Sequence, residues 1–94
     1  MADFEWDPVK AEANLRKHGV SFLKAILVFS DSARVELPDT SDDRDEDRWL
    51  VIGRVEPYIL LVVFTQREER IRLISARKAD RNEQQIYWSS HLPS

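Results

Sequence analysis

Three extended-type segments in succession limit what this chain can fold into more than any other feature. Residues 58–64 read YILLVVF, without a charge, and an unbroken apolar run bounded by turn residues suits a central strand covered on both faces. Before it stands RWLVIGRV at 48–55, joined through Glu56-Pro57; after it, beyond the charged turn 66–69, stands RIRLISAR at 70–77. The first two predict a hairpin. The third alternates strictly, which places Ile71, Leu73 and Ser75 on one face and Arg70, Arg72 and Ile74 on the other, so that two arginines stand together on one sheet face.

The first half of the chain carries helix signals. Residues 3–6 alternate and run into Asp7-Pro8, the pattern of a short strand ending where a helix begins, with Asp7 as N-cap and Pro8 as the first helical residue. That helix extends to about His18 and stops at Gly19. Ala11, Leu15 and His18 fall on one stripe, and Lys10, Asn14 and Lys17 on a basic stripe beside it. Ser21 caps a second helix at 22–29 whose core stripe is Phe22, Ala25, Ile26 and Phe29; Leu23, Leu27 and Val28 make it apolar nearly all round, so it should be largely buried. Residues 34–37 predict a short strand closed by Pro38. Asp80 with Glu83 forms a capping box for a last helix of about ten residues that reaches Tyr87 and Trp88. The predicted order is β-α-α-β-β-β-β-α, an α+β fold with a small antiparallel sheet packed against helices. Ninety-four residues, 43% of them apolar, suffice for one core and not two, so residues 1–94 are expected to form a single domain.

Composition removes several classes of function. The chain has no Cys, which excludes a thiolate metal site and a cysteine nucleophile and fits a reducing cytosol. No basic region followed by an apolar run opens it, and its longest apolar stretch is too short to span a bilayer, so a soluble cytoplasmic protein is expected. Two histidines 73 positions apart, no clustered His-carboxylate spacing, and an acidic run without the Gly and terminal Glu of a calcium loop predict neither a metal site nor another cofactor. Neither a phosphate-cradling Gly-rich loop nor a serine nucleophile elbow is present. The net charge of −3 argues at face value against nucleic acid, but it is unevenly spread. Residues 31–47 hold eight acids and two Arg, a balance of −6, which leaves nine acids against twelve bases elsewhere, or +3. The acidic stretch reads as a solvated loop able to steer a basic partner.

The segments FEWDPVKAEANLRKHGVSF (4–22), RWLVIG (48–53) and RIRLISARKADRNEQQIY (70–87), in this order and at these spacings, resemble the signatures of BrnT toxins. The resemblance implies a RelE-like fold and an endoribonuclease that arrests translation in the bacterial cytoplasm until a BrnA-like antitoxin neutralises it. It also implies that RNA lies across the sheet's open face, and that operator DNA is bound only through the antitoxin's ribbon-helix-helix part. An inactive binding module that keeps the fold and acts only with its partner is the alternative.

RNA cleavage without a metal uses the 2′-hydroxyl as nucleophile, and needs a base, an acid and positive charge at the pentavalent transition state. Arg72 and Arg77 are the catalytic candidates for the charge, with Lys78 beside them for RNA binding; the bland reading is that they cover the core's edge and pair with Glu68, Glu69 or the acidic loop. Arg48 offers a phosphate contact and Trp49 a face for an unpaired base, although strand neighbours point to opposite faces and Trp49 reads equally well as core. Lys17 and His18 close the first helix, where its dipole favours cations. Lys17 is an RNA-binding candidate. Histidine is the residue type suited to proton transfer near neutrality, and His18 is the candidate general acid or base, against a half-buried packing role. His91 is a weaker candidate. Tyr87 reads as core with a possible proton-transfer role, Trp6 and Phe4 read as packing residues, and Glu5 as an exposed residue without a role.

Overall fold

Strand pairing organises the chain. The computed structural model describes residues 3–40 and 47–90. Within them run β1 (Asp3–Glu5), α1 (Pro8–His18), α2 (Phe22–Ala25) continued by a 3₁₀ turn (Ile26–Ser30), β2 (Val35–Pro38), β3 (Trp49–Val55), β4 (Tyr58–Arg67), β5 (Arg70–Lys78) and α3 (Arg81–Ser89). This is the expected α+β order. The five strands form one sheet, β1-β5-β4-β3-β2. Strands β2 to β5 are antiparallel, as expected, and the hairpin pairs Trp49 with Phe64 through to Val55 with Tyr58. β1 joins the edge of β5 in parallel, so the whole sheet is mixed. The helices and three intervening strands supply the long crossover that a parallel pair requires.

Each face of the sheet packs its own apolar set. Val51, Val55, Leu60, Val62, Phe64, Leu73 and Ala76 lie beneath Val20, Phe22, Ala25 and Val28 of the α1–α2 layer. On the other face Ile52 and Leu61 pack with Ala79 and Tyr87, joined by the half-buried Leu50, Ile59, Val63 and Ile86. β4 contributes buried residues to both sets, which is why its sequence shows no polar alternation. The α1–α2 layer can lie close because β3 has a glycine there. A Cβ built on Gly53 would meet the Cβ of Val28 at 2.9 Å and its carbonyl oxygen at 3.1 Å.

The helix caps are as predicted: Asp7 accepts from the Val9 N–H, Ser21 from that of Lys24, and Asp80 and Glu83 form a reciprocal capping box. Gly19 ends α1 with φ +72°, in the left-handed region. The stripes differ from expectation. In α1 the buried residue is Asn14, flanked by the half-buried Ala11 and His18, while Leu15 is 49% exposed. Asn14 is drawn in by hydrogen bonds. Its side chain accepts from the N–H of Ala76 at 3.1 Å and donates to the Ala76 and Val20 carbonyls at 2.8 and 2.9 Å, satisfying the edge of β5 beyond the reach of the three-residue β1. The second helix is not largely buried: Leu23 and Leu27 are 69% and 49% exposed. After Ala25 it tightens into a 3₁₀ turn with three residues per turn, so Phe22, Ala25 and Val28 align inward, and Ile26 and Phe29 become flanking contacts.

Candidate functional site

A β-bulge sets the geometry of the site. Val63 pairs with Ser75 and Phe64 with Leu73, so Ile74 is an extra residue in β5. The extra residue shifts Ser75 onto the face of Val63, away from Ile71 and Leu73, where strict alternation placed it. It also decides where the arginines point. Arg72 and Arg77 are five positions apart and would face opposite ways in a regular strand; across the bulge both stand on the face that α3 half covers. Arg70, Arg72 and Arg67 share that face through the pairs Arg67–Arg70 and Thr65–Arg72.

Where β1 gives way to α1, a cavity of about 170 Å³ opens beside the bulge, lined by Arg48, Arg67, Arg72, Lys10, Asp7, Leu73 and Ile74. Four cations and one carboxylate thus surround it. Asp7 is committed to capping α1, its Oδ1 accepting from the Val9 N–H at 2.9 Å. Arg72 donates to Glu5 Oε2 at 2.8 Å, and both side chains are about one-third exposed. Glu5 is therefore half-buried and paired, not an exposed residue without a role. It restrains the guanidinium through one of that group's five N–H donors.

Arg77 lines a second cavity of about 370 Å³ on the same face, with Leu50, Leu61, Val63, Asp39 and Glu83. It makes two 2.7 Å hydrogen bonds to Glu83, one to each carboxylate oxygen. These bonds raise the Arg77 pKa and lower that of Glu83, in both cases against the opposing effect of burial. Arg72 and Arg77 thus face one way but occupy separate cavities, about 15 Å apart along the strand. The arginines that share a cavity with Arg72 are Arg48 and Arg67.

The other candidates lie around this centre. Arg48 and Trp49 diverge as strand neighbours must: Trp49, 40% exposed, borders a cleft with Glu36, Phe64 and Gln66, so it is not a core residue. Lys17 is exposed and His18 half-buried in the last turn of α1, about 12 Å along the helix from Lys10. Lys78 sits over the Tyr58 ring, 4.3 Å from its centroid. Tyr87 is buried and donates to Asp31 at 2.6 Å. Burial first, then the Asp31 carboxylate, push its pKa up to about 12, so it is a protonated core residue. Phe4 and Trp6 pack as expected, on Phe29 and Phe22 with ring centroids 5.2 and 5.9 Å apart. His91 and most of the acidic loop, residues 41–46, lie outside the described residues.

Two cavity residues were not singled out from the sequence. Sequence patterns give Lys10 only a place on the basic stripe of the first helix, and Arg67 only one in the charged turn 66–69. The signal for Arg67 was its register, which fixes its face only once the β4–β5 turn is known to be tight. Among the described residues, no helix is long and apolar enough to cross a membrane.

The family model for "Ribonuclease toxin, BrnT, of type II toxin-antitoxin system" matches residues 6–83. The match spans Arg48, Arg67, Arg72, Arg77 and Glu83. No curated protein matches the chain.

Proposed function

The chain belongs to the BrnT family of ribonuclease toxins of type II toxin–antitoxin systems, and from that premise we propose that it cleaves RNA on the arginine-bearing half of the sheet face. The observation that carries this reading is the cavity in which Arg48, Arg67, Arg72 and Lys10 converge beside the β5 bulge. A polyanionic strand is the ligand such a cavity suits, because guanidinium groups remain charged at every physiological pH and match phosphoryl oxygens in geometry.

The reaction needs no metal. The 2′-hydroxyl loses its proton and attacks the adjacent phosphorus; the P–O5′ bond breaks, and the departing oxygen takes up a proton. The products are a 2′,3′-cyclic phosphate and a 5′-hydroxyl. Negative charge builds on the phosphoryl oxygens in the transition state, and fixed cations there favour it over the ground state. Arg72, with Arg48 beside it, carries this role, and Arg77 acts on the strand one cavity further along. Lys17, Lys78 and the exposed Trp49 hold flanking RNA. His18, about 12 Å along α1 from Lys10, lies beyond hydrogen-bond reach of a linkage held in that cavity, so in this reading it contacts RNA that passes along α1.

Free toxin then arrests translation in the cytoplasm. A BrnA-like antitoxin neutralises it and brings operator DNA to the complex. A second reading, an inactive module that works only with its partner, is favoured by one observation: Arg72 and Arg77 are both held by carboxylates. Induction in a bacterial host separates the two. The expected result is growth arrest by the wild type, relieved by Arg72→Ala or Arg77→Ala at equal level and with folding intact, and by co-expression of the antitoxin. Arrest by both variants as strong as that of the parent would remove these arginines from the mechanism.

A further inference from the structure

The far end of the sheet holds a second group of cations, and here they rest on exposed aromatic rings. Arg54 from β3, Tyr58 from β4, Lys78 from β5 and Trp88 from α3 line one cavity of about 350 Å³. Tyr58 is 42% and Trp88 48% exposed. Lys78 Nζ lies 4.3 Å from the Tyr58 centroid, and the Arg54 guanidinium carbon 5.7 Å from that of Trp88. Trp88 is also seated from below: its ring meets Tyr87 edge-on at 5.0 Å, and Tyr87 is itself buried and bonded to Asp31. Glu56 pairs with Arg54 and offsets one of the two positive charges.

Accessible rings interleaved with cations are what single-stranded nucleic acid requires, a flat face for a base and a charge for the phosphate next to it. The contrast with the α1–α2 layer is informative. There Val9, Leu15, Leu23 and Leu27 are exposed as aliphatic surface, the kind a protein partner covers. In the cavity at the far end of the sheet the large exposed apolar side chains are the two aromatic rings, with Pro57, Ile59 and Ala79 completing its apolar lining. Lys78 follows Arg77 directly and, as its strand neighbour, points to the other face with Tyr58, so the cavity lies around the end of the sheet, about 20 Å from Arg72.

We propose that the cavity between Tyr58 and Trp88 is a nucleobase-binding subsite for single-stranded RNA flanking the cleaved linkage. The proposal rests on the reading of the arginine-lined face as the cleavage site. Trp88 lies outside residues 6–83 matched by the family model, while Arg54, Tyr58 and Lys78 lie within them.

The test compares the wild type with Tyr58→Ala, Trp88→Ala and the double variant, on a long unstructured RNA and on an oligonucleotide too short to reach from Arg72 to Trp88. For the double variant the expected result is an affinity for the long RNA weaker by at least about tenfold, since each stacked base contributes that order of binding. KM for the long RNA should rise while kcat and all activity on the short one are unchanged. Trp88→Phe should retain most of the affinity, and RNA quenching of tryptophan emission should fall in that variant. A double variant that binds the long RNA as tightly as the wild type overturns the subsite, as does one that loses antitoxin and keeps RNA. A wild type that cleaves neither RNA defeats the cleavage reading itself, a result distinct from both.

Discussion

Arg77 and Glu83 show how one ion pair ties a candidate site to the stability of the fold. Glu83 serves two structures at once, closing the capping box of α3 and accepting both bonds from Arg77. Its pKa is lowered by the Arg77 hydrogen bonds, so the folded state binds its proton less readily than the unfolded chain does. The stabilisation is therefore complete above the ordinary glutamate range and is lost as pH falls through the depressed folded value. Thermal melts of the wild type and Glu83→Gln from neutral to acidic pH should differ most at neutrality and converge on acidification. A gap that stays constant or widens in acid would show that the pair does not stabilise the fold. The same variant releases Arg77, so any change in its RNA affinity reports how far Glu83 competes with phosphate for that guanidinium.

At the scale of elements, the site depends on two irregularities: the bulge at Ile74 and the lock between α1 and β5. Asn14 satisfies both backbone groups of Ala76 and the carbonyl of Val20, next to the bulge that turns Arg77 onto the face of Arg72. Asn14→Leu would leave these buried groups without their partner and is expected to cost roughly 2–4 kcal/mol, read as a shift of the urea midpoint at unchanged slope. A midpoint within about 0.5 kcal/mol of the wild type would mean the lock is not structural. Much of this layer was legible in the sequence. Caps at Asp7, Ser21 and Asp80, the stop at Gly19 and the three strand runs act locally, so local patterns reveal them. The bulge, the inward turn of Asn14 and the 3₁₀ turn after Ala25 arise from long-range pairing, and each moved a residue to a face that simple periodicity did not give it. Arg72 and its face could be read from alternation; the pairing of Arg72 with Glu5 could not, because it depends on β1 lying parallel to β5.

The whole molecule presents three surfaces with different chemistry. The α1–α2 layer exposes aliphatic side chains, the opposite sheet face gathers Arg48, Arg67, Arg70 and Arg72 at one end, and the end of the sheet beyond Arg77 carries aromatic rings with cations. A formal charge of −3 is thus a poor guide to the ligand, since acids and bases are segregated and the field over the cationic face sets what approaches it. The most direct test of that face as a nuclease site is cleavage of an end-labelled RNA by the purified protein in the presence of a chelator, comparing the wild type with Arg72→Ala. The account predicts fragments ending in 2′,3′-cyclic phosphate from the wild type, and a rate lower by about 10²-fold or more in the variant. Equal cleavage by the two proteins would contradict it.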